Sequence, residues 1–173
     1  MPGSSNESPA GQVAWFAAWT RSRHEATVLR QLEEKGLEGF LPTSSRWSRW
    51  KDRKKRVNFP LFPGYCFAHV PPDELLTVRK CAGVVAIVST DGRPAAIPDR
   101  EIESVRAFLD SHLDGDPCPL LQEGAMVEVT SGPLRGVMGR LVRKGTQARL
   151  IISVGLLGQG ISVAVDAADV KPY

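Results

Sequence analysis

From Gly124 to Tyr173 the apolar residues keep a two-residue period: Val127 and Val129, then Leu150, Ile152 and Val154, then Ile161, Val163 and Val165. That period places every second side chain on one face and favours strands over an amphipathic helix. Gly132-Pro133, Lys144-Gly145 and Gly155–Gly160 interrupt it as turns, so the stretch predicts a small β-barrel of about 50 residues. Ahead of it, Asp114, Gly115, Asp116, Pro117 and Pro119 have the composition of a linker. The expected organisation of the 173 residues is a disordered tail at 1–12, an α+β domain at 13–110, a linker at 111–122 and the barrel at 123–173.

The α+β half mixes both periods. Val13–Thr20 predicts a first strand. Ser22-x-x-Glu25 is a capping-box pattern, in which the Ser hydroxyl and the Glu carboxylate would satisfy the free N–H groups of a helix start. Ala26, Leu29 and Leu32 give that helix its apolar face and Gly36 its stop. Leu37–Trp47, Arg56–Leu61 and Tyr65–Val70 follow as strands, Pro71–Lys80 as a short helix and Val84–Ser89 as a buried strand. Asp91-Gly92 is a turn signal, and from Asp99 a second helix presents Ile102, Val105 and Leu109 on one face.

Charge is unevenly spread. Between Arg46 and Arg56 seven basic residues face one acid, Asp52, so the segment carries +6 while the rest of the chain carries −3. Trp47 and Trp50 interrupt the run, and cations beside exposed aromatic rings suit phosphates and unstacked bases. Cys66, Cys81 and Cys118 form neither a disulfide framework nor a zinc signature. Cys66 and His69, three apart on a strand, would lie on opposite faces and could not share a metal. Apolar runs such as Val13–Trp19 and Gly83–Val88 are too short to span a bilayer, and no secretory signal opens the chain, so a cytoplasmic protein is expected.

No phosphate-binding Gly-rich loop, dinucleotide fingerprint or nucleophile elbow is present, and His24-Glu25 lacks the second His of a metalloprotease helix, with Val28 at that place. No enzyme, cofactor or metal is therefore expected. Two stretches are more specific. Pro60-Leu61-Phe62-Pro63-Gly64-Tyr65-Cys66-Phe67 packs three aromatics into six residues around a constrained turn, more than a turn needs, which suits a partner surface as well as a core. Glu123–Val129 followed by Gly132-Pro133-Leu134-Arg135-Gly136 and Gly139 suits a tight loop between barrel strands.

Together these residues resemble the NusG family of transcription elongation factors. Trp15-Phe16-Ala17-Ala18-Trp19-Thr20 with Arg23-His24-Glu25, then Phe62-Pro63-Gly64-Tyr65, then Gly83-Val84-Val85, resemble its N-terminal NGN domain. Gly132-Pro133-Leu134-Arg135-Gly136 with Gly139 resembles its KOW motif. Trp50-Lys51-Asp52-Arg53-Lys54-Lys55, leading into the Phe62-Pro63-Gly64-Tyr65 turn, is more similar to the specialised antiterminator paralogues (RfaH, LoaP and UpxY-like) than to the housekeeping factor.

The resemblance implies a monomeric, non-enzymatic factor whose NGN domain docks on the clamp helices of the RNA polymerase β′ subunit and suppresses pausing or termination. By position Trp15, Phe16, Phe62, Pro63, Gly64, Tyr65 and Phe67 would form the docking depression, with packing inside the core as the competing role of each aromatic. Arg21, Arg23 and His24, with Arg49, Lys51, Arg53 and Lys54 of the basic segment, would meet non-template DNA or nascent RNA. The polar patch toward the β subunit falls near Arg79-Lys80-Cys81, where this sequence departs from the family pattern. Leu156 and Leu157 align with the KOW loop that binds a ribosomal protein or Rho; burial in the barrel is their alternative. The competing function is a stand-alone RNA-binding or ribosome-associated module. Salt separates the two, because phosphate contacts weaken steeply with ionic strength and apolar docking does not.

Overall fold

The structure, a computed structural model, describes residues 11–120 and 123–173. Most of the expected tail, and residues 121–122 of the expected linker, lie outside the described residues. Along the chain come β1 (Ala14–Thr20), α1 (Glu25–Glu34), β2 (Glu38–Phe40), β3 (Thr43–Trp50), β4 (Arg53–Pro60), β5 (Tyr65–Val70), a 3-10 turn at Pro72–Glu74, α2 (Leu75–Arg79), β6 (Val84–Ile87), β7 (Ser89–Thr90), β8 (Arg93–Pro94) and α3 (Asp99–Ser111). Strands β9 (Gly115–Pro119), β10 (Ala125–Val129), β11 (Met138–Lys144), β12 (Gln147–Val154), β13 (Gln159–Val165) and β14 (Val170–Pro172) complete it. No helix among the described residues is long and apolar enough to cross a membrane.

Packing divides the chain into two compact units, one running to Leu41 and again from Pro63 to Asp99, the other comprising Pro42–Phe62 and Arg100–Tyr173. The first unit is an antiparallel sheet in the order β2-β5-β1-β6. One face of it packs on the helices: Ala14, Phe16 and Ala18 of β1 and Cys66, Ala68 and Val70 of β5 form a buried cluster with Val28, Leu32 and Val78. The expected apolar face of α1 is rotated, because Ala26 is exposed and the buried residues are Glu25, Val28 and Leu32. The expected capping box does not form either. His24 occupies the N-cap without a side-chain bond, and the Glu25 carboxylate reaches across to another loop.

The second unit contains a six-stranded antiparallel sheet in the order β14-β10-β11-β12-β13-β9. Val127, Val129, Leu150, Ile152, Val154, Ile161 and Val163 are buried, as the two-residue period requires, whereas Val165 is half-buried and Ile151 is buried against the alternation. The KOW-like residues make a closed loop: Gly132 and Gly136 adopt φ of 85° and 86°, Leu134 is buried, and the Gly136 amide donates to the Val129 carbonyl (2.8 Å). Two expectations are corrected here. The stretch expected as linker supplies strand β9, five residues paired with β13 from Gly115↔Val163 to Pro119↔Gln159. Helix α3 buries Ile102, Val105 and Phe108, with Leu109 only half-buried.

This unit also holds a separate two-stranded hairpin, β3–β4, in register from Thr43↔Pro60 to Trp50↔Arg53. The expected strand Leu37–Trp47 is in fact two strands, divided at Leu41-Pro42, where proline cannot continue a ladder. The basic run expected between strands is itself the body of this ribbon, with Lys51-Asp52 as its turn.

Candidate docking face and nucleic-acid interface

In the first unit, strand alternation sends Trp15, Ala17 and Trp19 of β1 and Tyr65, Phe67 and His69 of β5 to the sheet face away from the helix-packed cluster. Cross-strand pairs Trp15↔His69, Ala17↔Phe67 and Trp19↔Tyr65 align them in a strip. At one end Trp15 stacks on the His69 ring (centroids 4.6 Å, planes at 17°), edge-on to Phe40 at 6.0 Å, and Phe40 lies 6.1 Å from Phe67. His69 Nδ1 is 2.8 Å from a Glu38 carboxylate oxygen. At the other end Trp19 is 50% exposed, opposite half-buried Tyr65 and near exposed Pro63.

The turn that presents this end is fixed by Glu25. Gly64 donates its amide to Glu25 Oε1 (3.0 Å) and accepts from the Thr20 amide (2.8 Å), and its φ of 88° requires glycine. Glu25 is itself buried, so removing its carboxylate would leave the Gly64 amide without that acceptor.

The residues expected to dock are thus divided. Tyr65 and Pro63 reach the surface at this end and Gly64 shapes it. Trp15 and Phe67 share the face but are buried, and Phe62 is buried as well. Phe16 points the other way, into the core beneath α1, because neighbours on a strand face opposite sides. Trp19 was not among the expected docking residues. Its parity with Trp15, four residues earlier, already placed it on the same face.

The basic residues fall into two sets. Arg21, Arg23 and His24 are exposed on the turn before α1, where the Arg21 amide donates to Gly83 (2.8 Å) and Arg23 takes a left-handed φ of 64°. His24 Nδ1 lies 2.9 Å from the Ser22 carbonyl. Arg49, Lys51, Arg53 and Lys54 sit at the far end of the hairpin, all exposed. Nearer its base Arg56 donates to Ser45 Oγ (2.7 Å) and Arg46 pairs with Asp116 (3.1 Å). Hence all four expected hairpin cations belong to one ribbon, while the turn before α1 belongs to the other unit.

In the loop after β12, Leu157 is buried and Leu156 half-buried, with Gly158 at φ 62° closing the turn. Glu101 of α3 accepts from the Gly155 amide there (3.2 Å), and its Oε2 has no partner among the described residues. Burial pushes the Glu101 carboxyl above its ordinary range, opposed by the Gly155 N–H and by Arg100. The thiols do not gather. Cys66 lies in the core beneath α1 and His69 on the opposite face, and burial pushes the Cys66 thiol up to about 12.

Comparison with known proteins matches residues 13–106 to the family model described as NusG, transcription termination factor nusG. Among solved structures, Thermotoga maritima NusG superposes with a TM-score of 0.55 at 21% identity, over 93% of this chain and 97% of that one. A chain of the MjSpt4:Spt5 complex aligns at 15% identity over 92% of this chain and 97% of its own, too loosely (TM-score 0.29) to speak to the fold.

Proposed function

This chain belongs to the NusG family of transcription elongation and termination factors, and from that premise we propose that it binds RNA polymerase through residues 13–110 and suppresses pausing or termination. The observation that carries the reading is the exposed end of the aromatic strip. Trp19, Pro63 and Tyr65 stand at the surface on an otherwise ordered sheet, and a buried carboxylate fixes the turn between them. Exposed large aromatics on a rigid scaffold are what a protein contact uses as anchors. The β′ clamp helices are the proposed target, and Trp15 and Phe67 continue the strip as its buried part. Arg21, Arg23, His24 and the hairpin cations are proposed to meet non-template DNA or nascent RNA. Residues 123–173 are proposed as a KOW barrel that recruits a ribosomal protein or Rho through Leu156 and Leu157, with Leu156 the more accessible contact.

The role is non-enzymatic, cytoplasmic and of the specialised antiterminator type; the basic, Trp-bearing hairpin supports that last assignment. It also favours one competing reading, a stand-alone RNA-binding module. Binding of the full chain to core RNA polymerase, at low and moderate salt with free RNA as competitor, separates them. The expected result is polymerase binding that survives moderate salt and falls at least about tenfold in the Trp19→Ala, Tyr65→Ala double variant. Trp19 is exposed and Tyr65 half-buried at the sheet's end, so that variant should fold, unlike one at buried Phe62. Binding that disappears with salt, or that ignores both substitutions, would overturn the docking assignment.

A further inference from the structure

Among the described residues the β3–β4 hairpin pairs with no further strand, and its residues are mostly exposed along both strands. Directly opposed residues of an antiparallel pair share a face. The register therefore puts Trp47, Arg49, Lys54 and Arg56 on one face, and Arg46, Trp50, Arg53, Lys55 and Phe59 on the other. The two tryptophans look in opposite directions.

Their surroundings differ. On the Trp50 face the rings already have cations: Lys55 Nζ lies 5.9 Å from the Trp50 ring, and the Arg46 guanidinium lies 4.3 Å from the Phe59 ring while pairing with Asp116. Both tryptophans are exposed, Trp47 at 68% and Trp50 at 63%, but among the described residues no cation or second ring lies over Trp47. Beside it Arg49 and Lys54 stand directly opposite each other. Like charges opposed across a ribbon destabilise it, and no acid of the described residues bridges this pair. Trp47, Ser48, Arg49 and Lys54 border an open hollow of about 350 Å³.

We propose that the Trp47 face of the hairpin binds single-stranded nucleic acid, one unstacked base lying on the Trp47 ring and the adjoining phosphate between Arg49 and Lys54. A phosphate relieves the repulsion of that pair, and a base offers the ring a planar partner. Bases inside a duplex have both faces covered by their neighbours, so only an unpaired strand can use the ring. The proposal rests on the reading that the hairpin meets nucleic acid, and adds which face, which ring and which strandedness. It is independent of polymerase docking.

The test uses the full chain and labelled ten-nucleotide single-stranded RNA, single-stranded DNA of the same sequence and the matching duplex, read by fluorescence anisotropy. Trp47→Ala is expected to weaken single-strand binding about tenfold, the loss of one stacked base, while changing duplex binding less than about twofold. Trp47→Phe should retain most of the affinity, and Trp50→Ala should have little effect. Replacing Arg49 and Lys54 together by Gln should lower the salt slope by about one to two. The stronger of the RNA and DNA arms identifies the strand. Equal losses from Trp47→Ala and Trp50→Ala, preference for the duplex, or equally tight Trp47-dependent binding of an acidic peptide would each overturn the proposal. Polymerase binding without oligonucleotide binding would sink it and leave the docking intact. Trp47-dependent oligonucleotide binding without polymerase binding would sink the docking alone.

Discussion

At the scale of single residues, burial moves the Cys66 thiol and the Glu101 carboxyl more than neighbouring charges do. Cys66 is fully buried and its thiol pushed to about 12, so at pH 8 only on the order of one in ten thousand molecules carries the nucleophilic thiolate. Iodoacetamide should therefore label the native protein at half-exposed Cys118 well before Cys66, and guanidinium should abolish the difference; peptide mass mapping reads both. Glu101 gives the pH-dependent case. Its folded carboxyl lies above the unfolded one, so as pH rises the unfolded chain loses this proton first, and stability falls across that window. Glu101→Gln keeps an acceptor for the Gly155 amide and removes the buried charge. The variant should melt higher than the parent at pH 7, by ~2 °C, and the gap should close as pH drops below the ordinary carboxylate range. A gap that does not change with pH would show that burial of the charge is not its cause.

At the scale of elements, backbone approach decides what a strand tolerates. A Cβ on Gly139 of β11 would lie 2.5 Å from the Ile151 carbonyl oxygen, which is backbone and cannot swing aside. Gly139→Ala should cost about 2–3 kcal/mol in urea unfolding. Gly145, in the β11–β12 turn, has open space around it and a φ of 65°, so Gly145→Ala should cost only about 1 kcal/mol, from backbone strain alone. The start of α1 makes a related point. Ser22-x-x-Glu25 has capping-box spacing, yet Glu25 is recruited by the Gly64 amide, because a part-buried amide needs an acceptor more than an exposed helix end does. Spacing along the chain cannot reveal a partner 39 residues away.

At the scale of the whole molecule, two compact units carry two kinds of surface. The first presents an apolar aromatic strip and the second a mostly exposed cationic ribbon. The proposed contacts should separate by ionic strength in one preparation: oligonucleotide affinity falling steeply with salt, polymerase affinity little changed. The charge distribution was legible from composition, since the +6 segment stands out from a remainder of −3. Its form was not. A ribbon solvated on both sides needs no apolar alternation, so Thr43–Trp50 gives little strand signal by period.

The strand character of the last 50 residues, the helices at Glu25 and Asp99, the opposite facing of Cys66 and His69 and the location of the cations all follow from local period and composition, because each depends on neighbours a few residues away. Which face of the first sheet packs on the helices, that Phe16 lies in the core while Trp19 stands in solvent, that Glu25 holds Gly64, that 115–119 pairs as a strand and that a lysine lies over one of the two exposed hairpin tryptophans were decided by the tertiary structure. Those outcomes depend on partners brought together across tens of residues, and burial and pairing are properties of the packed molecule rather than of any segment of it.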